Sequence, residues 1–264
     1  MLKLQVVDNN YLKLNSALPL YELDDVCLSF GSHAQDGLNN ICLNIYPGEF
    51  VSILGPSGCG KSTLLRLLAG LLQPSSGYIA YDGSEVKKPV HSANLVFQNY
   101  ALLPWLTVFN NIALGLGSKI VTPRELRQQV ADVIEMIGLK GYENNYPGEL
   151  SGGMCQRVGF ARALVMQPEV LLLDEPFSAL DCLTARKLRM DFLRLWSARK
   201  LKTKAVVMVT HNVEEAAEMS DRLIILGSKP GKVIDQIVID RANFGASYLH
   251  ELREEIYALL EIHS

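Results

Sequence analysis

The strongest constraint on the fold is a run of nine residues, Gly55-Pro56-Ser57-Gly58-Cys59-Gly60-Lys61-Ser62-Thr63. The run fits the pattern G-x-x-x-x-G-K-[ST] of a phosphate-binding loop, whose glycines let successive backbone N–H groups face phosphate oxygens. An apolar run over 50–54 precedes it and predicts a buried strand, while 63–69 has the pattern of a helix. Because the motif requires this strand-loop-helix context, we prefer it to a glycine-rich turn that only joins two elements.

Two side chains of this loop predict its chemistry. Lys61 would bring a positive charge to the β- and γ-phosphates of a nucleotide, and the Ser62 hydroxyl would bind Mg²⁺. The start of the following helix adds a field that favours an anion. The loop therefore predicts a site for a triphosphate and Mg²⁺.

Composition excludes several other classes of protein. The chain has 264 residues, of which 48% are hydrophobic, and a net charge of −3, so it is globular and shows no polybasic footprint for nucleic acid. Its apolar stretches are shorter than the roughly 18 residues that cross a bilayer. The first twenty residues lack the apolar core of a secretory signal. Five cysteines without a C-x-x-C pair argue against a disulfide framework or a zinc site and favour a reducing cytosol.

The hydrophobic pattern predicts a mixed α/β chain. Residues 21–30 and 38–46 alternate with a period of two, which indicates two antiparallel strands joined by a turn over 31–37. Further strands are predicted at 78–81, 94–97, 170–173, 205–210, 223–226 and 233–238. The continuous apolar runs at 170–173 and 205–209 are typical of strands covered by helices on both faces.

The segment from about Leu102 to Leu150 has a helical pattern instead. Thr122-Pro123-Arg124-Glu125 is a capping box with proline at the first helical position. Apolar residues follow at helical spacing, and Gly138 is expected to end the helix. We therefore predict a helical subdomain inserted into the α/β body.

Two carboxylates, Asp174 and Glu175, end the apolar strand that begins at Val170. At a strand tip, Asp174 can hold Mg²⁺ and Glu175 can polarise an attacking water. An exposed acidic strand end is the alternative, but the phosphate-binding loop upstream favours the functional interpretation.

A second anion site is predicted where Ser151, Gly152 and Gly153 open a helix that reaches roughly to Gln167. The first N–H groups of a helix have no partner within it, so they can bind an anion. The alternative is an ordinary serine N-cap followed by flexible glycines.

The order of these motifs resembles that of the nucleotide-binding subunit of an ATP-binding cassette (ABC) transporter. The resemblance covers about 21–239 and rests on 55–63, Gln98, the signature Leu150-Ser151-Gly152-Gly153, 171–175, Ser178-Ala179-Leu180-Asp181 and His211. It implies a P-loop NTPase core of α/β class with an antiparallel β subdomain and a helical subdomain inserted at about 99–165. The implied domains are an N-terminal extension (1–20), an ATPase domain (21–240) and a C-terminal helical tail (241–264).

The resemblance also implies roles for single residues. Phe30 would stack on adenine, although a strand aromatic in the core is an equal alternative. Gln98 would touch Mg²⁺ or the attacking water, Asp181 would line a dimer seam, and His211 would contact the γ-phosphate. The implied catalytic set is Glu175, His211 and Gln98, and the implied Mg²⁺ ligands are Ser62, Gln98 and Asp174. ATP would lie on 55–63 and on 151–153 of a second subunit, which would be an identical chain or a paralogue.

Short phrases resemble the branch of importers for nitrate, sulfonate, taurine or bicarbonate. They are Leu103-Pro104-Trp105-Leu106-Thr107-Val108, the turn Pro230-Gly231-Lys232-Val233 and a tail helix with an apolar face. The implied partners are membrane permease subunits and, indirectly, a solute-binding protein, with the chain peripheral at the cytoplasmic face of the membrane and no nucleic acid bound. The branch usually carries Arg or Lys where this chain has Cys155.

Some alternatives stay open at this point. Leu103, Trp105 and Leu106 would suit docking of a permease helix, but Trp105 could instead belong to the core of the helical subdomain. An export or lipoprotein-release ATPase is a second functional candidate. A soluble ABC protein of translation or DNA repair is a third, disfavoured by the single cassette and by the lack of long heptads between Lys61 and Ser151.

Overall fold

The computed structural model describes residues 18–29, 37–97, 101–117, 122–178, 180–199, 201–228, 230–241 and 244–262. Within this part of the chain two compact units form. The first unit comprises the described residues of 1–93, 172–174 and 204–264, and the second unit comprises those of 94–171 and 175–203.

The described chain contains both strands and helices. The strands are β1 (Tyr21–Ser29), β2 (Gly37–Ile45), β3 (Phe50–Leu54), β4 (Ser76–Tyr81), β5 (Ser84–Glu85), β6 (Ala93–Val96), β7 (Val170–Asp174), β8 (Ala205–Thr210), β9 (Arg222–Leu226) and β10 (Val233–Val238). The α-helices are α1 (Lys61–Leu68), α2 (Val108–Ala113), α3 (Pro123–Met136), α4 (Gly152–Leu164), α5 (Cys182–Ser197), α6 (Val213–Met219) and α7 (Ala246–Ile262).

An antiparallel sheet in the order β2-β1-β4-β5 forms one layer of the first unit. β1 pairs with β2 in a register that places Tyr21 opposite Ile45 and Leu28 opposite Leu38. Buried and less buried residues alternate along β1 with a period of two, except at Asp24 and Asp25, where both are exposed and the register with β2 shifts. The predicted antiparallel pair is confirmed, and most of the predicted turn between its strands lies outside the described residues.

A second sheet of the first unit carries the parallel strands. β3 lies between β9 and β8 and is parallel to both, while β10 pairs antiparallel with β9. The strand order continues from β8 to β7, whose last three residues belong to this unit. All residues of β3, β8 and β9 are buried, as expected for continuous apolar strands covered on both faces.

The tail helix α7 packs on the first unit through one apolar face. Leu252 and Ile256 are buried in a cluster that also contains Leu54, at the end of β3, and Val213, at the start of α6. The apolar face predicted for this helix is therefore confirmed. Its Arg253 guanidinium donates to the Glu214 carboxylate at 2.5 Å.

The second unit is mostly helical. α3 begins after Thr122, whose side chain accepts from the Glu125 N–H while the Glu125 carboxylate accepts from the Thr122 N–H, and Pro123 occupies the first turn. This is the predicted capping box, and the carboxylate has a lowered pKa because these N–H and hydroxyl groups favour its charged form. Gly138, at φ 69°, follows the helix. The predicted domain boundaries are drawn differently from these compact units and remain predictions.

No helix among the described residues is both long enough and apolar enough to cross a lipid bilayer.

Candidate nucleotide site

The phosphate-binding loop connects β3 to α1 in the first unit. Gly58 and Gly60 have φ of 82° and 100°, a left-handed conformation that favours glycine. A Cβ added to Gly60 would also overlap the Leu38 side chain. The glycines therefore give the loop a backbone path that a side chain would block.

Lys61 is the first residue of α1, and its side chain folds back over the loop. The ammonium donates to the carbonyl oxygens of Gly55 at 2.8 Å and of Pro56 at 2.9 Å. Lys61 is only 6% exposed. These two carbonyls hold the positive charge against the loop, where it can meet a phosphate without first being ordered.

Ser62 and Asp174, which are far apart in the sequence, meet at the carboxyl edge of the sheet. The Ser62 hydroxyl donates to Asp174 Oδ1 at 2.8 Å, and Asp174 is a buried residue at the end of β7. Hydroxyl and carboxylate oxygens are hard ligands of the kind that Mg²⁺ prefers. The pair therefore fits the Mg²⁺ that the sequence predicts.

Glu175 follows Asp174 directly and has a positive φ of 45°. A non-glycine residue in this region carries strain of order 1–3 kcal/mol, which is found disproportionately at functional sites. Glu175 is half-buried. The chain thus places the predicted general base next to the predicted Mg²⁺ ligand, with a backbone that an ordinary strand end does not need.

His211 lies at the same edge of the sheet as the phosphate-binding loop. Leu54 of β3 pairs with Thr210 of the parallel strand β8. Gly55 follows Leu54 and His211 follows Thr210, so both residues leave the sheet at the same edge. His211 is exposed. In the first unit the fold therefore brings together Lys61, Ser62, Asp174 and the backbone of His211 from three strand ends.

Ser151, Gly152 and Gly153 lie at the start of α4 in the second unit. The Ser151 hydroxyl accepts from the Met154 N–H at 3.3 Å, and Ser151 and Gly152 are exposed. Gly153 lies against α5, since a Cβ there would stand 2.8 Å from the Thr184 methyl carbon. The 13-residue α4 therefore presents its first N–H groups at the surface, as the sequence predicts.

Asp181 caps the N-terminus of α5 in the same unit. Its carboxylate accepts from the Thr184 N–H at 3.0 Å, and hydrogen bonds from Thr184 keep the pKa of Asp181 below its usual value. Cys155, on the first turns of α4, donates its Sγ–H to the Pro147 carbonyl, and burial raises the pKa of its thiol. The dimer role of Asp181 remains a prediction.

Phe30 and Gln98 lie outside the described residues, so their predicted contacts with adenine and Mg²⁺ remain predictions. Trp105 is 69% exposed, so its interpretation as a core residue is wrong.

Two contacts around the loop were not predicted from the sequence. Gly231 donates its N–H to the Gly37 carbonyl and accepts from the Asn39 N–H, both at 2.9 Å. A Cβ on Gly231 would overlap the carbonyl oxygen of Cys59. Cys59 itself is buried, which raises the pKa of its thiol. The turn before β10 therefore packs directly against the phosphate-binding loop, and no local sequence pattern reports that approach.

A glycine loop at a helix start, a lysine held over it and a serine–aspartate pair define a P-loop nucleoside triphosphatase. Comparison with known proteins identifies the family within that class. A family described as "ABC transporter" matches residues 38–178. The chain belongs to the ABC transporter family.

Two curated relatives are named as import ATP-binding proteins. The chain is 48% identical over 196 residues to the aliphatic sulfonates import ATP-binding protein SsuB of Bacillus subtilis, covering 74% of each protein. It is 48% identical over 203 residues to the nitrate import ATP-binding protein NrtC of Synechococcus elongatus. That match covers 76% of this chain but 30% of NrtC, so the chain spans less than a third of that relative.

A solved structure shares the fold. It is the dimeric ATP-binding cassette MJ0796 in a post-hydrolysis state with ADP and Pi, with a TM-score of 0.71 and 32% identity. The match covers 83% of this chain and 99% of that one. The fold is that of an ABC ATPase, and the protein is an ATPase that uses ATP and Mg²⁺.

Proposed function

We propose that the chain is the ATP-hydrolysing subunit of an importer for a small anion such as nitrate, a sulfonate, taurine or bicarbonate. It would act at the cytoplasmic face of the membrane on permease subunits, to which a solute-binding protein delivers the anion. The observation that carries the proposal is the Ser62–Asp174 pair beneath the Lys61 loop, since it supports ATP hydrolysis as the energy source. The names of SsuB and NrtC support import of an anion.

Each part of the site has a task in this proposal. Lys61 and the loop N–H groups would bind the β- and γ-phosphates, while Ser62 and Asp174 would hold Mg²⁺. Bound there, the ion would neutralise charge on the phosphates. Glu175 accepts a proton from the water that attacks the γ-phosphorus, and His211 contacts the γ-phosphate.

Two copies of the chain would share two ATP sites in a head-to-tail dimer. Ser151 and Gly152 are exposed at the start of a 13-residue helix, and an exposed helix start favours an anion brought to it from outside. The γ-phosphate of ATP on a second copy is such an anion. ATP would then close the dimer, and hydrolysis would release it.

A loop in the second unit supports the assignment of a permease surface. This docking loop (103–107) presents Trp105, and it is held from beneath by the fully buried Asn111. The Asn111 amide donates to the carbonyls of Leu103, Leu106 and Thr107 at 2.9–3.1 Å, while its Oδ1 accepts from the Leu103 N–H at 2.9 Å. Because the backbone of the loop is already held, it loses little backbone entropy when Trp105 binds a partner, as an interface anchor requires.

Substitution of Trp105 tests this proposal. With the permease coexpressed, Trp105→Ala should weaken copurification of the complex by at least about tenfold, because an anchor aromatic contributes about 2 kcal/mol or more. Basal hydrolysis of the isolated chain should stay near wild type, since the side chain is exposed rather than structural. Leu71→Ala, which also removes a half-exposed side chain but on the first unit, serves as the matched control.

Uptake of labelled sulfonate or nitrate into vesicles that contain the complex tests the direction of transport. The proposal expects ATP-dependent uptake that Trp105→Ala abolishes and Leu71→Ala retains. Efflux, or ATP hydrolysis that no anion and binding protein stimulates, would contradict the importer and favour an export or non-transport ATPase. A large fall in melting temperature for Trp105→Ala would contradict the docking surface.

A further inference from the structure

The turn that carries His211 is short. Thr210 ends β8 and Val213 begins α6, so only His211 and Asn212 connect the strand to the helix. Val213 is buried in the same cluster as Leu54, the residue before the phosphate-binding loop. Any shift of α6 relative to β8 would therefore move the backbone of His211 relative to the loop.

A ring of hydrogen bonds closes this turn from within. The Thr210 hydroxyl donates to Glu215 Oε2 at 3.1 Å and accepts from the Asn212 N–H at 3.0 Å. The Asn212 side chain in turn accepts from the N–H groups of Glu214 and Glu215, at 2.9 and 3.2 Å. The ring ties the end of β8 to the first turn of α6 across His211.

Glu215 is the costly member of the ring. It is 5% exposed, and removing a carboxylate from water is costly even where hydrogen bonds replace part of its hydration. Its position in the first turn of α6 offsets part of that cost through the helix dipole.

We propose that Glu215 is a positioning residue for His211 in ATP hydrolysis, acting through the hydroxyl of Thr210. Glu215 touches neither nucleotide nor Mg²⁺ in this account. It holds Thr210, and Thr210 and Asn212 together fix the backbone from which His211 reaches the γ-phosphate. The inference rests on the proposed contact between His211 and the γ-phosphate.

Steady-state ATP hydrolysis by the intact chain tests the inference. Glu215→Ala and Thr210→Val should each lower kcat by about ten- to a hundredfold, since a misplacement of about 1 Å can cost about 10²-fold. KM for ATP should change by less than about threefold, because the phosphate-binding loop is untouched. Glu215→Gln and Thr210→Ser keep the acceptor and the hydroxyl, so both should retain most of the wild-type kcat.

Two comparisons separate positioning from a general loss of structure. Glu214→Ala, a neighbour on α6 whose side chain pairs with Arg253 rather than Thr210, should keep kcat near wild type. In a His211→Ala background, Glu215→Ala should cause no further loss of kcat, because it acts through the missing imidazole. If Glu215→Ala does not fold, Thr210→Val replaces it in the comparison with the His211→Ala background, because valine matches the shape of threonine.

The outcomes distinguish this inference from the proposal on which it rests. A full additional loss of kcat in the His211→Ala background, or unchanged kcat for both Glu215→Ala and Thr210→Val, would overturn the positioning role alone. Wild-type turnover by His211→Ala itself would overturn both the role of His211 and the role of Glu215.

Discussion

The phosphate-binding loop and the start of α4 are both predicted to bind anions, yet their surroundings differ. In the first unit, Lys61 is almost fully buried and hydrogen-bonded to two loop carbonyls, and Ser62 is already bonded to Asp174. In the second unit, Ser151 and Gly152 are exposed. There the Ser151 hydroxyl accepts from the Met154 N–H as the cap of the helix.

This contrast separates what nucleotide binding requires from what closure of the proposed dimer requires. A buried, hydrogen-bonded site is preorganised, so a nucleotide can bind without ordering new groups. An exposed helix start has little affinity for an anion by itself, because water competes for its N–H groups. It gains strength when a partner excludes water, which is what the proposed ATP-dependent dimer requires.

Glu175→Gln should have the largest effect on turnover, because it removes the proposed general base. It leaves both anion-binding surfaces unchanged. We expect turnover to fall by about 10²–10⁴, the usual span for a positioned base. Nucleotide affinity should remain, since Lys61, Ser62 and Asp174 are unchanged. Glu135→Gln is the control for loss of a carboxylate, because Glu135 forms an exposed salt bridge with Lys140. Near-normal turnover by Glu175→Gln in a malachite-green phosphate assay would contradict the assignment.

Gly231→Ala tests how far the order of the phosphate-binding loop depends on its neighbours. The added methyl group would overlap the Cys59 carbonyl, so we expect a loss of about 1–3 kcal/mol in the free energy of unfolding. ATP affinity, measured by calorimetry, should fall by about tenfold as the Cys59 peptide shifts. Gly148→Ala, which meets no atom within 4 Å, should change neither quantity. Equal effects of the two substitutions would mean that the loop does not depend on Gly231.

Rates of thiol labelling should show the smallest effect, and they compare the buried phosphate-binding loop with an exposed helix start in the second unit. Cys59 in the loop is 1% exposed, and burial raises its pKa, so little reactive thiolate forms at neutral pH. Cys182, beside Asp181, is exposed. With iodoacetamide at pH 7.5 we expect Cys182 to react at least about tenfold faster. The Cys59 rate should still rise above pH 8.5, and equal rates by mass spectrometry at pH 7.5 would mean that the loop opens freely.

Local patterns predicted the elements and the residues that lie on strand ends. The capping box of Thr122 and Glu125 was predicted from its spacing, because both partners lie within one helical turn. Ser62 and Asp174 were predicted as joint Mg²⁺ ligands although they are 112 residues apart. That was possible because each belongs to a local motif, the phosphate-binding loop and the acidic strand end, and the resemblance to the ABC family places the two motifs in one site.

Contacts that depend on tertiary packing could not be predicted in this way. Gly231 follows a proline and indicates only a turn, so its approach to Cys59 is invisible in the sequence. Glu215 looks like an ordinary acidic residue in a first helical turn, where the dipole favours it on any exposed helix. Asn111 gives no signal that it holds the docking loop. The exposure of Trp105 depends on how that loop packs, so the sequence alone could not decide between a docking residue and a core residue.

Sedimentation velocity of Glu175→Gln with MgATP tests the central claim, that the Ser151 helix start of one copy closes on ATP held by another. We expect a dimer with ATP and a monomer without it. Adding Ser151→Glu, which sets a negative charge against the γ-phosphate at an exposed cap, should return the protein to monomer while a fluorescent ATP analogue still binds. A Glu175→Gln/Ser151→Glu protein that dimerises as well as Glu175→Gln, or a Glu175→Gln protein that binds ATP as a monomer, would contradict the account.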